Sequence, residues 1–276
     1  MTTQAKDLAA APTRRERQRA ATHDEIVTVA RRLLGSPDAL SLRAVAAVMG
    51  LTAPALYRYV DSYHELLVLV ERSIFEDVIS AMTSARDRHG EKDPAAQILA
   101  STAAFRGWAL THPAEFGLVF ANAATTDPVK TAVPTDPSSP AGGAQFAGFF
   151  TDIFLRLWDR YQFTVPTDSD LEPALLDRLH DQRASGTLPC DFPGHPLGLS
   201  WIFIRCWTRL YGTVTLEVFR HMDREVIESG ALFRAMLDDN ARDLGFGDDW
   251  PRLRALAVLE MSRWAQQSLA TAMVLA

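Results

Sequence analysis

The stretch SLRAVAAVMGLTAPALYRYV, residues 41–60, decides the fold of the N-terminal part of the chain. Apolar residues recur at spacings of three and four on both sides of Gly50, which predicts two short helices joined by a turn. Ser41 and Thr52 stand where each helix needs an N-cap, and Pro54 falls in a first turn, where its missing N–H does no harm. Gly50 stands where the turn needs a residue that tolerates a positive φ, and two short helices joined through such a turn are typical of a helix-turn-helix.

The second of these helices has a composition that suits contact with DNA. Its first residues are small, so its backbone can approach DNA closely. The carbon atoms of these residues can make apolar contacts with the methyl group of a thymine. The tyrosines and the arginine that follow can donate hydrogen bonds to phosphates or bases. The residues predicted to contact DNA are Arg43, Thr52, Ala53, Pro54, Tyr57, Arg58 and Tyr59. The spacing alone leaves open a helical hairpin in which both tyrosines pack in a core.

The flanking segments extend this unit to residues 21–67. A capping box in residues 22–25 predicts the start of the first helix, and a second one in residues 62–65 opens a long helix. Residues 1–20 have no apolar periodicity and are rich in arginine, so we expect a flexible basic arm there.

Charge is distributed unevenly along the 276 residues, whose net charge is −6. Residues 1–60 contain nine basic and five acidic side chains and so carry +4, which leaves −10 for the rest. A basic end on an acidic body suits a protein that meets a polyanion at one end only.

The remaining composition excludes several classes of protein. Two cysteines make neither a disulfide framework nor a metal cluster, and no apolar run is long enough to span a membrane. There is no secretion signal, so a cytoplasmic protein is expected. The sequence has no glycine-rich phosphate loop, no Gly-x-Ser-x-Gly and no His-Glu-x-x-His, so we predict neither an enzyme nor a cofactor or metal site.

The downstream sequence keeps helical spacing from residue 94 onward, without a convincing strand, so the predicted fold class is all-α. We expect a regulatory and dimerisation domain over residues 68–247 and an additional C-terminal helix over residues 248–276. The proline-rich segment 122–143 has no apolar stripe and is predicted to be a mobile loop that gates a cavity.

Residues 22–67 resemble the DNA-binding domain of the tetracycline-repressor (TetR) family. The resemblance rests on Met49-Gly50-Leu51-Thr52 at the turn and on Leu56-Tyr57-Arg58-Tyr59-Val60 at the end of the recognition helix. Two residues depart from the family pattern: Val60 replaces the usual Phe, and Tyr63 stands where a lysine usually contacts phosphate. Tyr63 therefore joins the expected DNA contacts as an uncharged donor.

Two downstream segments are similar to one group within that family. Residues 207–217, WTRLYGTVTLE, resemble a signature in which Trp precedes His-Gly or Tyr-Gly and then Leu-Glu, and residues 111–116, THPAEF, resemble a His-Pro-x-x-Phe/Tyr element. The resemblance implies an N-terminal three-helix DNA-binding domain, a larger helical ligand-binding domain, and a homodimer formed by the last common helices. Apolar residues in 199–219 and 232–237 suit that dimer, although an intramolecular core is equally compatible with their spacing.

Aromatic residues crowd the middle helices, and most of them are expected in the core. A helical domain with this much aromatic surface can also hold a cavity for an apolar ligand. The predicted ligand-binding residues are Phe105, Trp108, His112, Phe149, Phe154, Arg205, Trp207 and Tyr211.

The predicted function is that of a ligand-responsive transcriptional regulator, a repressor by the logic of the family. Its expected partners are a double-stranded palindromic operator, a small-molecule effector and a second copy of the chain, with no membrane involved. The alternative is a helical protein-interaction module that has lost operator binding, which the acidic body and Tyr63 leave open.

Overall fold

The structure, a computed structural model, describes residues 13–35, 40–121, 141–188 and 190–275. Over those residues it contains helices and no strand, and the predicted all-α class is confirmed. The helices are α1 (Arg14–Leu34), α2 (Leu42–Val48), α3 (Ala53–Leu56), α4 (Tyr63–Arg86), α5 (Pro94–Thr111), α6 (Pro113–Phe116), α7 (Ala141–Tyr161), α8 (Pro173–Ala184), α9 (Leu197–Val218), α10 (Arg224–Ser229), α11 (Ala231–Asp243) and α12 (Trp250–Leu275). A π-helical turn, Gly117–Ala121, follows α6 directly.

The chain divides into two compact units between Val70 and Glu71, within α4. We call the first unit the headpiece and the second the regulatory unit. The domain ranges expected from the sequence remain predictions. Most of the expected loop 122–143 lies outside the described residues, and its last three residues belong to α7.

The headpiece has a small apolar core to which each of its helices contributes. Ile26 of α1, Val45 of α2 and Leu56 of α3 have no solvent-exposed surface, and neither do Val60 and Leu66. Burying an aliphatic side chain of this size contributes about 1.5–3 kcal/mol to stability. The apolar spacing that predicted these helices is therefore the pattern that packs them together.

The first helix begins earlier than predicted, and the capping box expected at residues 22–25 is wrong. The box is formed instead by Thr13, whose side chain accepts from the backbone N–H of Glu16 at 3.3 Å while the Glu16 carboxylate accepts from the N–H of Thr13 at 2.7 Å. Residues 14–20 are exposed and helical rather than a flexible arm, because arginine, glutamine, glutamate and alanine favour helix without needing an apolar face. Residues 1–12 lie outside the described part of the chain.

Helix α5 is the centre of the regulatory unit. Nearly all of its residues are buried, including the polar Gln97, Ser101 and Arg106, so neighbours must cover every side of it. Helices α7, α9 and α12 pack against it. The start of α5 matches the prediction, since Asp93 caps it by accepting from the N–H of Ala96 at 3.1 Å.

The middle of helix α12 packs closely against α5 and is tied to the segment that follows α4. Gly107 of α5 lies so close to Trp264 that a Cβ there would come within 2.6 Å of the indole Cγ. The fully buried carboxylate of Glu260 accepts from Arg88 at 2.5 Å and from Arg263 at 2.6 Å. Although burial opposes ionisation of Glu260, the hydrogen bond and charge of Arg88 hold its pKa below the ordinary value.

A second buried ion pair joins α5 to α9. Arg106 donates through Nε to Oε2 of Glu217 at 2.6 Å and through Nη2 to Oε1 at 3.2 Å. The same guanidinium donates to the Ile227 carbonyl at 2.8 Å and lies 5.2 Å from the ring centre of Phe233. Burial raises the pKa of the Glu217 carboxyl, and the hydrogen bond and charge of Arg106 oppose that rise.

We expect Glu217→Ala to lower the free energy of unfolding by about 3–5 kcal/mol, because it strands the Arg106 guanidinium in the core. Urea denaturation followed by circular dichroism measures the loss. Glu228→Ala is the matched control, since Glu228 forms an exposed ion pair with Arg224, and it should cost at most about 0.5 kcal/mol. Equal losses in the two variants would contradict the assigned role of the pair.

Candidate functional site

In the headpiece, α2 and α3 form the predicted helix-turn-helix. The hydroxyl of Ser41 accepts from the N–H of Ala44 at 3.1 Å and so caps α2, as predicted. At the turn Gly50 has a φ of 66°, a left-handed conformation that favours glycine, and this prediction is also confirmed. The N–H of Leu51 then returns to the carbonyl of Ala46 at 2.8 Å, which closes the end of α2.

Helix α3 is shorter than predicted, and Thr52 is its N-cap residue, as predicted, but without the capping hydrogen bond. The hydroxyl of Thr52 makes no capping hydrogen bond, and Pro54 in the first turn leaves one fewer N–H to satisfy. Beyond the helix, hydrogen bonds from the N–H groups of Tyr59 and Val60 to the Leu56 carbonyl, at 2.8 and 3.2 Å, continue the turn. This continuation keeps Leu56 and Val60 on the buried side, as their spacing predicted.

The two tyrosines of this turn have different surroundings. Tyr57 is 51% exposed, which argues against the hairpin alternative in which both rings pack in a core. Tyr59 is half-buried, and its ring meets His23 of α1 edge to face, with 6.2 Å between the ring centres. Tyr57 is therefore available to a partner, whereas the ring of Tyr59 also serves the headpiece itself.

Most residues predicted to contact DNA are on the surface of the headpiece. The exposed ones are Arg43, Thr52, Pro54, Tyr57, Arg58 and Tyr63, while Ala53 and Tyr59 are half-buried. Neither Arg43 nor Arg58 forms an ion pair with any described residue. Sequence reasoning missed Val48, which is 53% exposed at the end of α2, although its position outside the apolar spacing of that helix is a usable signal.

The regulatory unit contains a small apolar cavity of about 50 Å³ among α5, α7, α9 and α11. Of the residues predicted to bind a ligand, Phe154 and Trp207 line it. The other lining residues are Ile98, Leu99, Thr102, Phe150, Phe203, Cys206, Leu210, Leu237, Asn240, Ala241, Leu244 and Phe246. Half of these are aliphatic, a residue type that the prediction of ligand-binding residues left out.

The structure separates the other predicted ligand residues from this cavity. Phe105 packs against Trp207 with 5.9 Å between ring centres, and Phe149 lies beside the guanidinium of Arg86 at 5.3 Å. The hydroxyl of Tyr211 donates to the Phe120 carbonyl at 2.7 Å. These side chains are therefore occupied by contacts within the regulatory unit.

Two further predicted residues pair with each other, and a third lines a different surface. Trp108 and His112 stack with 5.1 Å between ring centres at the end of α5. Arg205 lines a separate polar cleft of about 540 Å³ and forms an ion pair with Asp243 at 3.2 Å.

Few polar groups are available at the small cavity. The Thr102 hydroxyl donates to the Leu99 carbonyl at 3.0 Å, and the Asn240 amide oxygen accepts from Arg209 at 3.0 Å. Burial raises the pKa of the Cys206 thiol to about 12, so the thiol is neutral at pH 7. The indole Nε1 of Trp207 is buried and has no hydrogen-bond partner among the described residues.

A helix-turn-helix in a chain whose remaining helices enclose a cavity defines the class of helix-turn-helix transcriptional regulators. Residues 98–240 match the family model described as "Tetracyclin repressor-like, C-terminal domain", which covers more than half of the chain. The chain belongs to the tetracycline-repressor family, whose members are regulators rather than enzymes.

Relatives agree with this assignment, and a solved structure has a similar fold. The HTH-type transcriptional regulator Rv1816 of Mycobacterium tuberculosis is 30% identical over 223 residues, which are 76% of this chain and 87% of that protein. The regulator Mb1846 of Mycobacterium bovis matches to the same extent. A crystal structure of the protein SCO4313 has a TM-score of 0.59 and 24% identity, over 83% of this chain and 98% of that one, which supports the fold. In the described part of the chain, no helix has both the length and the apolar character of a membrane span.

We expect Gly50→Ala to destabilise the headpiece by about 1–2 kcal/mol, because a Cβ is strained at its left-handed φ even though nothing lies within 4 Å of it. Gly35→Ala is the matched control. Its surroundings are equally open but its φ is −88°, so it should leave the stability unchanged or raise it by up to about 1 kcal/mol. Urea unfolding of both variants measures the difference, and equal values would contradict a requirement for glycine at this turn.

Proposed function

We propose that the protein is a transcriptional repressor that binds two-fold symmetric operator DNA as a homodimer and releases it when a small molecule binds the regulatory unit. The observation that carries this proposal is the surface of the helix-turn-helix. There, Arg43 and Arg58 are exposed and form no ion pair with a residue that the structure describes, and Tyr57, between them in sequence, is 51% exposed.

The roles of the headpiece residues follow from their chemistry. Arg58, Tyr57 and Arg43 are assigned to phosphates, because cationic and hydroxyl donors position a protein on the DNA backbone. Pro54 and Ala53, at the start of α3, are assigned to base edges, where carbon atoms distinguish a thymine methyl group. Tyr63 is 44% exposed and supplies an uncharged phosphate donor.

A two-fold dimer is expected because paired headpieces read two half-sites of an operator. The segment 232–237, one of the two considered for the dimer, contributes Phe233, Met236 and Leu237 to the core of a single chain, so these residues do not supply the interface. Other apolar residues, Trp201 and Ile204 among them, are only partly buried beside the core formed by α8 and α9. We assign the dimer interface to that face, because these residues can still be covered by a second chain.

The effector site is assigned to the cavity lined by Phe154 and Trp207. A cavity of about 50 Å³ is small beside ligand sites of roughly 300–1,000 Å³, so an effector must spread the surrounding helices as it binds. A ligand controls DNA affinity only through its differential affinity for two conformations, and this cavity provides that difference because its closed form has no room for the ligand.

The cavity also indicates the chemistry of the effector. Its walls are apolar and mostly aliphatic or aromatic, while the buried Nε1 of Trp207 has no acceptor among the described residues. An unsatisfied buried donor costs about 1–3 kcal/mol, which a ligand acceptor would recover. We therefore propose a small apolar molecule that carries one carbonyl or hydroxyl oxygen.

A first test of DNA binding uses duplexes from the region upstream of the protein's own gene, with fluorescence anisotropy at several salt concentrations. Arg58→Ala should weaken binding and lower the slope of log K against log[salt] by about 1, because one phosphate contact is lost. Arg224→Ala, whose arginine is also exposed but lies on α10, should change neither quantity. Unchanged slopes in both variants would contradict the phosphate assignment.

A second test separates base contacts from backbone contacts. Pro54→Ser should change the ranking of duplexes that differ at single base pairs, by about 1–3 kcal/mol at the contacted position. If the wild-type protein shows no preference among duplexes, the interaction-module alternative is favoured.

The effector proposal is tested with a thermal-shift screen of small aromatic and apolar compounds, followed by anisotropy with each hit. For hits that carry an acceptor oxygen, Trp207→Phe should weaken ligand binding about tenfold or more. The substitution keeps an aromatic ring but removes the Nε1–H that would donate to the ligand. Trp158→Phe, whose indole donates to the Phe163 carbonyl and does not line the cavity, is the matched control and should bind normally. Hits that stabilise the protein but leave its DNA affinity unchanged would overturn the inducer role.

A further inference from the structure

Three side chains with metal-binding chemistry converge in the regulatory unit, away from the cavity assigned to the effector. They are Asp77 of α4, His112 at the end of α5 and Glu115 of α6. One ligand atom from each residue lies within 4.8 Å of the other two, and all three residues are half-buried. No pattern in the sequence predicted this cluster, because Asp77 is 35 residues away from His112 and meets it only in the fold.

Trp108 holds two of these side chains in place. Its indole Nε1 donates to Oδ2 of Asp77 at 3.2 Å, and its carbonyl oxygen lies 2.9 Å from Nδ1 of His112. The indole and imidazole rings are stacked, with an angle of 13° between their planes. Trp108 is only 2% exposed, so it is a fixed support for both residues.

The hydrogen bond of His112 selects the nitrogen that can bind a metal. The Trp108 carbonyl can only accept, so the tautomer that donates to it from Nδ1 keeps its lone pair on Nε2. The Thr111 hydroxyl also lies 2.9 Å from Nδ1. Histidine ligands in metal sites usually donate their other N–H to a carbonyl or carboxylate, which fixes the ring and its tautomer. In that tautomer, the hydrogen bonding of His112 matches that of a metal-bound histidine.

The backbone at the end of α5 brings His112 and Glu115 together. His112 leaves the helical conformation, with φ −126° and ψ 53°, and Pro113 starts α6 immediately afterwards. Because α6 begins at once, Glu115 lies in its first turn and returns toward His112. The same helix contributes Phe116 to the core, which anchors this short segment.

We propose that Asp77, His112 and Glu115 bind a divalent transition-metal ion, with Zn²⁺ as the representative ion. One imidazole nitrogen and two carboxylate oxygens suit Zn²⁺, which binds such ligands at about 2.0–2.2 Å. The ligand atoms lie within 4.8 Å of one another, so they would need to close by roughly an ångström to bind one ion. Three protein ligands leave a fourth position for water or for a small molecule.

The bound ion would link α4 to the junction of α5 and α6. This inference goes beyond the proposed function, because metal binding at this site requires neither DNA nor an effector. Its test therefore measures metal binding directly, and failure of either proposal leaves the other standing.

The experiment titrates the chelator-treated full-length protein with ZnCl₂ at pH 7 by isothermal titration calorimetry. Wild type should bind one ion per chain at a saturable site. Asp77→Asn and Glu115→Gln should each weaken that site about 100-fold or more, since loss of a supporting partner alone typically costs 10–100-fold. Asp77→Asn keeps an oxygen that can accept from Trp108, so the variant retains the local hydrogen bond.

Two controls keep the result specific to this site. Glu91→Gln and His221→Ala change an exposed carboxylate and an exposed imidazole elsewhere in the regulatory unit, and both should bind Zn²⁺ as wild type does. Thermal unfolding provides a second readout: Zn²⁺ should raise the melting temperature of wild type and of both controls but not of Asp77→Asn. Absence of a saturable site in wild type, or an affinity equal to that of wild type in the Asp77 and Glu115 variants, would overturn the proposal.

Discussion

The structure of the regulatory unit depends on the burial of one central helix, which has almost no solvent-exposed side. Helix α5 is buried along almost its whole length, so α7, α9 and α12 must each cover one side of it. The contact is closest at Gly107, where a side chain of any size would collide with Trp264. Helix α12, beyond the segment that matches the family model, is thus part of the core of this unit, because without it one face of α5 would be open to water.

The same enclosure explains where polar groups are placed. The charged groups that enter the interior are paired, as Arg106 is with Glu217 and Glu260 is with Arg88, since an unpaired buried charge is far more costly than a buried pair. The cavity beside α5 has the opposite character: its walls are apolar, and the buried indole N–H of Trp207, one of its lining residues, has no acceptor in the described part of the chain. This contrast between satisfied ion pairs and an unsatisfied neutral donor is the basis for assigning the effector to the cavity.

Sequence reasoning was strongest where a residue's role is local. Ser41 as a cap and Gly50 as a left-handed turn follow from backbone chemistry, and both were predicted. It failed where exposed residues form helix without an apolar stripe, as at residues 14–20, and where three-dimensional convergence decides. Apolar spacing identified the inward side of each helix but not which inward residues would leave a gap, so the cavity residues on α11 were missed. Asp77 and Glu115 could not be predicted to meet His112, because only the folded chain brings these residues together.

The central claim is that the headpieces of two chains read a two-fold symmetric DNA sequence. The most direct measurement is selection of binding sites from a pool of random DNA duplexes by the full-length protein, followed by sequencing. The account predicts enrichment of an inverted repeat whose half-sites lie about one helical turn, roughly 10 base pairs, or a multiple of it apart. Selection without any enriched sequence, or enrichment of a single unrepeated half-site, would contradict it.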